Sequence, residues 1–308
     1  MSHRALSEWL AWQEQLHPST IELGLTRVGD VWSKLHPEGF ASFVITVAGT
    51  NGKGSCVAFL DAILRLAGYR TGSYTSPHLV RYNERIRIDG KEATDQAICE
   101  AFARIDDVRQ STSLTYFEFG TLAALRLFVE SAPDLAILEV GLGGRLDAVN
   151  LIDADVSVVT SVGHDHQDWL GDTLEDVAVE KAGIFRRGRP AIIGQPDAPA
   201  RLRQEAEDLG AQVMQVGGKT AQGLGDGLVV TQIHQQAGVG HAQFDIVGVA
   251  LQRRMQALAG QLAALLLEAD LRLQNQRFGP VGAQSQSLDR MACIQDNERG
   301  LCSDVQTV

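Results

Sequence analysis

Val47-Ala48-Gly49-Thr50-Asn51-Gly52-Lys53-Gly54-Ser55 follows the apolar run Phe43-Val44-Ile45 and precedes a helix-like stretch from Cys56 to Leu66. Strand, glycine-rich turn with one lysine, then helix is the order of a phosphate cradle. Backbone N–H groups and the helix N-terminus point at the anion, and the lysine adds a full positive charge. The stretch departs from the strict G-x-x-x-x-G-K-[ST] pattern, because Val47 replaces the first glycine and Gly54 separates Lys53 from Ser55. An ordinary glycine-rich turn has the same composition. The order of the elements favours a nucleoside triphosphate ligand.

Outward from this turn the chain keeps a β/α rhythm. Strand-like runs fall at 43–48, 72–75, 134–140, 155–161 and 190–194, and helix-like segments at 55–67, 94–108, 117–131, 174–183 and 198–209. A further amphipathic helix is expected over 5–16, with Leu6, Trp9, Leu10 and Leu16 on one side. Runs such as Leu135-Ala136-Ile137-Leu138 are almost continuously apolar, as strands covered on both faces must be. The pattern predicts a doubly wound α/β fold with a mostly parallel sheet, whose ligands sit beyond the carboxyl ends of the strands. After about Val216 the character changes, with Lys219 the last lysine and Trp169 the last tryptophan. The expected organisation is a nucleotide-binding domain over 1–215 and a divergent, partly disordered tail over 216–308, with a helix at 255–273.

The bulk composition narrows the function. A net charge of −11 opposes nonspecific nucleic-acid binding, so an anionic nucleotide must be held by local groups. Cys56, Cys99, Cys293 and Cys302 form no CxxC pair, which suits reduced thiols in a cytoplasm. Met1–Gln15 does not read as a signal peptide, and no apolar stretch is long enough for a bilayer span. A monomer without nucleic-acid or membrane partners is expected.

Four further groups of residues lie at strand or helix ends. Glu139 closes an apolar strand ahead of the glycine-rich turn Gly141-Leu142-Gly143-Gly144-Arg145-Leu146-Asp147, where a carboxylate can hold a hard cation such as Mg²⁺ or simply cap the turn. His164-Asp165-His166-Gln167-Asp168 reads either as a transition-metal cluster or as one histidine joining a magnesium site, and the lack of a second His/Cys group favours the latter. Lys181, near a helix C-terminus, reads on its own as a favourable partner of the helix dipole. Ser76 offers a hydroxyl to Mg²⁺, and Arg81 and Arg85 behind it can pair with carboxylate or phosphate oxygens.

Together these pieces resemble the folylpolyglutamate synthase/dihydrofolate synthase family, relatives of the Mur ligases. The similarity runs from about Leu10 to Gln215 and rests on Thr20–Leu25, Gly49–Ser55, Ser76–Leu79, Thr115–Glu118, Glu139–Asp147, Asp165–Gly171 and Glu180–Ile184, in that order. The resemblance implies that Gly49, Thr50, Asn51, Gly52, Lys53, Gly54 and Ser55 bind ATP. It implies that Ser76, Glu139 and His166 hold Mg²⁺, and that Lys181 is carbamylated and so becomes an anionic oxygen donor. Lys53, His166 and Lys181 are then the catalytic set. Thr115, Phe117, Asp147 and Ala148 match the pterin pocket of bifunctional members.

The implied activity is ATP-dependent ligation of L-glutamate to dihydropteroate or a folyl-glutamate. A carboxylate is a poor acyl donor, so ATP first converts it to an acyl phosphate, which the glutamate amine then attacks. Two motifs that family members carry in a carboxy-terminal domain, Asp-x-Ala-His-Asn-Pro and Pro-Gly-Arg, are not found, which raises the expectation of an interrupted reading frame and impaired synthase activity. An inactive nucleotide-binding remnant and a Mur-type peptide ligase are the alternative readings.

Overall fold

The computed structural model describes residues 4–216, apart from 18, 20 and 165. The tail expected over 216–308, its helix at 255–273, Cys293 and Cys302 therefore lie, Val216 aside, outside the described residues. The chain runs α1 (Leu6–Leu16), α2 (Thr26–Leu35), β1 (Phe43–Ala48), α3 (Lys53–Leu66), β2 (Thr71–Tyr74), β3 (Ile86–Ile88), β4 (Lys91–Glu92), α4 (Asp95–Arg109) and α5 (Tyr116–Ser131). It continues through β5 (Leu135–Glu139), β6 (Val156–Val159), α6 (Gln167–Leu170), α7 (Leu174–Ala182), β7 (Pro190–Ile193), α8 (Ala200–Leu209) and β8 (Gln212–Gln215). Short 3₁₀ turns occupy Tyr82–Arg85 and Ala148–Leu151.

One eight-stranded sheet has the order β4-β3-β2-β5-β1-β6-β7-β8. Every pairing from β2 through β8 is parallel, and β3 and β4 add an antiparallel edge. All residues of β5 and β6 are buried. Successive strand residues point to opposite faces, so these strands are covered on both sides. The expected doubly wound, mostly parallel α/β architecture is what the chain forms.

Local chemistry sets several helix starts. Thr94, Thr115 and Thr173 each accept a backbone amide of the first turn with their hydroxyls, before α4, α5 and α7. Thr115 and Glu118 form a reciprocal capping box.

The structure adds elements that the strand and helix readings passed over. In α2, Val28, Val31, Trp32 and Leu35 fall on one buried face, spaced as a helix requires. The β3–β4 hairpin turns at Asp89 and Gly90, both at positive φ. β8 closes the far edge of the sheet against β7.

Candidate functional site

Register brings three strand ends to one edge of the sheet. Val47 of β1 lies opposite Glu139 of β5, and Ala48 opposite Val159 of β6. The chain therefore leaves the central strand between a carboxylate on one side and the polar segment Thr160–Gly163 on the other.

Residues 49–52 lie along that polar segment. Thr50 donates its amide to the Ser161 carbonyl (2.9 Å), and its hydroxyl exchanges hydrogen bonds with the Gly163 backbone at 3.1 and 3.0 Å. The Asn51 amide donates to Ser161 Oγ (3.0 Å), while its carbonyl accepts from Thr160 Oγ1 (2.7 Å) and Ser161 Oγ (3.1 Å). Gly49 permits this approach, because a Cβ there would stand 1.9 Å from Thr160 Oγ1. Gly52, at φ +84°, then turns the chain into α3. A Cβ on Gly52 would meet nothing within 4 Å, and the first turn of α3 holds no acidic residue. An open, uncapped helix N-terminus of this kind favours an anion. Lys53 Nζ donates back to the Gly49 carbonyl (2.9 Å) and the Thr50 carbonyl (3.4 Å), so the ammonium lies over the loop it follows.

Glu139 is 4% exposed, and its Oε2 accepts the Ser76 backbone amide at 3.2 Å. Burial raises its carboxyl pKa, against the pull of that amide, Lys53 and Arg85. A Cβ on Gly54 would be 3.6 Å from Glu139 Oε2, so the start of α3 passes directly beside the carboxylate. Burial, reinforced by Glu139, pushes the Cys56 thiol up to about 12, which keeps it protonated at neutral pH.

Asp147 organises the glycine-rich turn after β5. Its carboxylate accepts from the amides of Gly141 (3.0 Å), Leu142 (2.8 Å) and Val149 (3.0 Å). Burial nevertheless raises its pKa to about 6. The Phe117 ring rests on Gly141, where a Cβ would come within 2.7 Å of it. Thr115 spends its hydroxyl capping α5, and Ala148 is buried in the 3₁₀ turn that Asp147 caps.

The same turn reaches α7. A Cβ on Gly144 would be 2.7 Å from the Glu180 carbonyl and 3.1 Å from Lys181 Cα. Arg145 pairs with Glu180 at 2.7 Å, and Asn150 donates to the carbonyls of Arg145 (3.0 Å) and Gly183 (3.1 Å). Lys181, whose helix-end position read on its own as a partner of the helix dipole, is an interior side chain, 2% exposed. His164 and His166 are exposed on the segment beyond Gly163, and the His166 carbonyl starts α6 by accepting from Trp169 and Leu170.

Among the described residues, no group of three or more His, Cys, Asp and Glu side chains is placed to hold a metal ion. Of the sequence-predicted metal ligands, Glu139 and Ser76 are joined by direct contact, the Ser76 amide donating to the Glu139 carboxylate, so a carboxylate and a hydroxyl-bearing residue meet at this edge. Such hard oxygens fit Mg²⁺. Sequence reasoning did not identify Thr160 as a support of the loop. A lone threonine after a strand gives no signal beyond polarity.

Sheet, loop and carboxylate define an α/β protein of the doubly wound class with a ligand edge at its central strand. Residues 47–258 match the Mur ligase middle domain, and the chain belongs to that family. It is 52% identical over 212 residues to the dihydrofolate synthase/folylpolyglutamate synthase of Escherichia coli, covering 69% of this chain and 50% of that protein. It is 39% identical over 200 residues to the Bacillus subtilis protein of the same name, covering 61% and 46%. A structure of E. coli FolC in complex with DHPP and ADP superposes with a TM-score of 0.68 at 52% identity, covering 69% of this chain and 51% of that one. The Yersinia pestis bifunctional enzyme complexed with AMPPNP and a Mn ion gives 0.66 at 51% identity, covering 69% and 52%. The chain spans about half the length of the curated relatives it matches. No helix among the described residues is long and apolar enough to cross a membrane.

Proposed function

We propose that this chain is the ATP-binding part of a ligase that joins L-glutamate to dihydropteroate or a folyl-glutamate through an acyl phosphate. The observation that carries the reading is the pairing of Val47 with Glu139, which sets an open, lysine-bearing helix N-terminus beside a buried carboxylate at the ligand edge. Residues 49–55 take the nucleotide phosphates. Lys53 exchanges its loop carbonyls for phosphate oxygens and offsets their charge. Ser76, Glu139, His166 and a carbamylated Lys181 would hold Mg²⁺, the carbamate supplying the oxygen donors that a lysine amine lacks. The bound cation supplies charge neutralisation on the transferred phosphoryl group. Phe117, Thr115, Asp147 and Ala148 form the pterin wall.

This edge can bind and orient the reactants, and the buried walls around Glu139 and Asp147 exclude water that would hydrolyse an acyl phosphate. We assign the protein to the cytoplasm as a monomer, which size-exclusion chromatography with light scattering tests. The function is tested in two measurements. Calorimetric titration with Mg·ATP should show uptake that Lys53→Ala weakens at least tenfold. Incubation with ATP, dihydropteroate and glutamate should yield ADP, phosphate and the glutamylated amide in equal amounts. Absence of any Mg·ATP uptake by folded protein refutes the reading.

A further inference from the structure

Arg85 is a buried cation that no described carboxylate touches, although the buried Glu139 lies close enough to feel its charge. Its residue is 8% exposed, yet it forms no ion pair with any described carboxylate, while its neighbours Arg81 and Arg87 both pair with Glu92. Its guanidinium lies 5.3 Å from the Tyr82 ring centroid and 5.6 Å from that of Tyr116. Its Nε donates to His78 Nδ1 at 2.9 Å. Aromatic faces and a neutral imidazole stabilise a cation only partly, and an unpaired buried charge is costly to keep.

Its position explains the arrangement. Tyr74 lies opposite Leu138 on one side and Ile86 on the other, and the Thr75 amide donates to the Arg85 carbonyl at 2.9 Å. Arg85 thus continues the row Val47, Glu139, Thr75 along the edge where ligands of such sheets bind. It stands two strands beyond Glu139, across β2, on the side away from the Thr160–Gly163 segment. A guanidinium is built to take two carboxylate oxygens in parallel.

We propose that Arg85 is the receptor for a carboxylate of the acid substrate, held as a fork between Tyr82 and Tyr116 and aligned by His78. The proposal rests on the ligase reading for the identity of that acid. A nucleotide phosphate is the other oxyanion available at this edge, and the test separates the two.

Dihydropteroate, its carboxyl methyl ester and Mg·ATP are each titrated into the wild-type chain, Arg85→Gln and Arg85→Lys. Dihydropteroate affinity should fall at least tenfold in Arg85→Gln and by less in Arg85→Lys. The ester should bind weakly and equally to all three, and Mg·ATP affinity should stay within twofold. Thermal melting of the ligand-free Arg85→Met chain gives an independent readout. A cation retained for a ligand should leave the melting temperature unchanged or raised when removed, whereas a structural one should lower it by several degrees. Equal losses for acid and ester, a loss confined to Mg·ATP, no dihydropteroate uptake by the wild type, or a lower melting temperature in Arg85→Met each overturns the proposal. Wild-type uptake of dihydropteroate without Mg·ATP overturns the nucleotide reading instead and leaves Arg85 standing.

Discussion

Glu139 Oε2 accepts the Ser76 amide at 3.2 Å, tying the end of β5 to the segment after β2 beside the start of α3. A glutamine at 139 can still accept that amide but carries no charge. Glu139→Gln should therefore fold normally and melt at the same or a slightly higher temperature, since a buried charge is removed. Its Mg²⁺-dependent gain in nucleotide affinity should fall about tenfold or more, as expected from loss of a carboxylate ligand. Calorimetry with and without Mg²⁺ measures this. Burial raises the wild-type pKa, and cation binding requires the deprotonated form. On acidification the wild-type gain should thus fade at a higher pH than an ordinary glutamate would give.

Gly49 and Gly52 make separable demands on the same loop. A Cβ at Gly49 collides with Thr160 Oγ1, in a segment fixed by several hydrogen bonds. Gly49→Ala should cost about 3 kcal/mol or more in denaturant melts. Gly52 needs only its left-handed backbone and has open space around it. Gly52→Ala should cost about 1–2 kcal/mol. Equal costs at both positions would contradict the packing described.

How legible this fold was depended on how far its signals reached. Runs such as Leu135–Leu138 announced the sheet because strands covered on both faces need apolar residues at every position. Helix α2 was passed over although Val28, Val31, Trp32 and Leu35 keep helical spacing, because the segment is only ten residues long and the residues between them are polar or small. The Asp89-Gly90 turn is a strong hairpin signal, but the strands beside it are only three and two residues long. At the site, Gly49 and Lys53 were legible because chemistry and spacing coincide. Burial of Lys181 and the lack of a salt bridge at Arg85 were not, because both depend on residues distant in sequence: the turn around Gly144 packs on Lys181, and Tyr116 flanks Arg85.

Glu84 pins the segment after Ser76. Its carboxylate accepts from the amides of Leu79 (2.8 Å), Val80 (2.9 Å) and Arg81 (2.6 Å), and these bonds pull its pKa down to about 2. Glu84→Ala should leave the core intact and speed hydrogen exchange at those amides at least tenfold. The wild type should keep its protection as pH falls below the ordinary glutamate range and lose it only near 2, because the folded-state pKa is depressed. Unchanged exchange in Glu84→Ala would show that the segment is held by other contacts.

Asp147 should produce the opposite pH dependence. In the folded chain burial lifts its pKa from 3.8 to about 6, so between those values the native state holds a proton that the unfolded state has released. Stability from this group is therefore full below about 4, declines as pH rises through 6 and is flat above, with a span of about 2–3 kcal/mol. Asp147→Asn removes the titration. It also places an amide donor against one of the three backbone N–H groups that Asp147 accepts, which should cost about 1–3 kcal/mol near pH 4. The variant's deficit should narrow as pH is raised from 4 to 7, because the wild type alone loses stability over that range. Urea melts of both proteins across this range measure the difference, and a deficit that widens with pH would mean that the Asp147 carboxylate is stabilised rather than penalised by its surroundings.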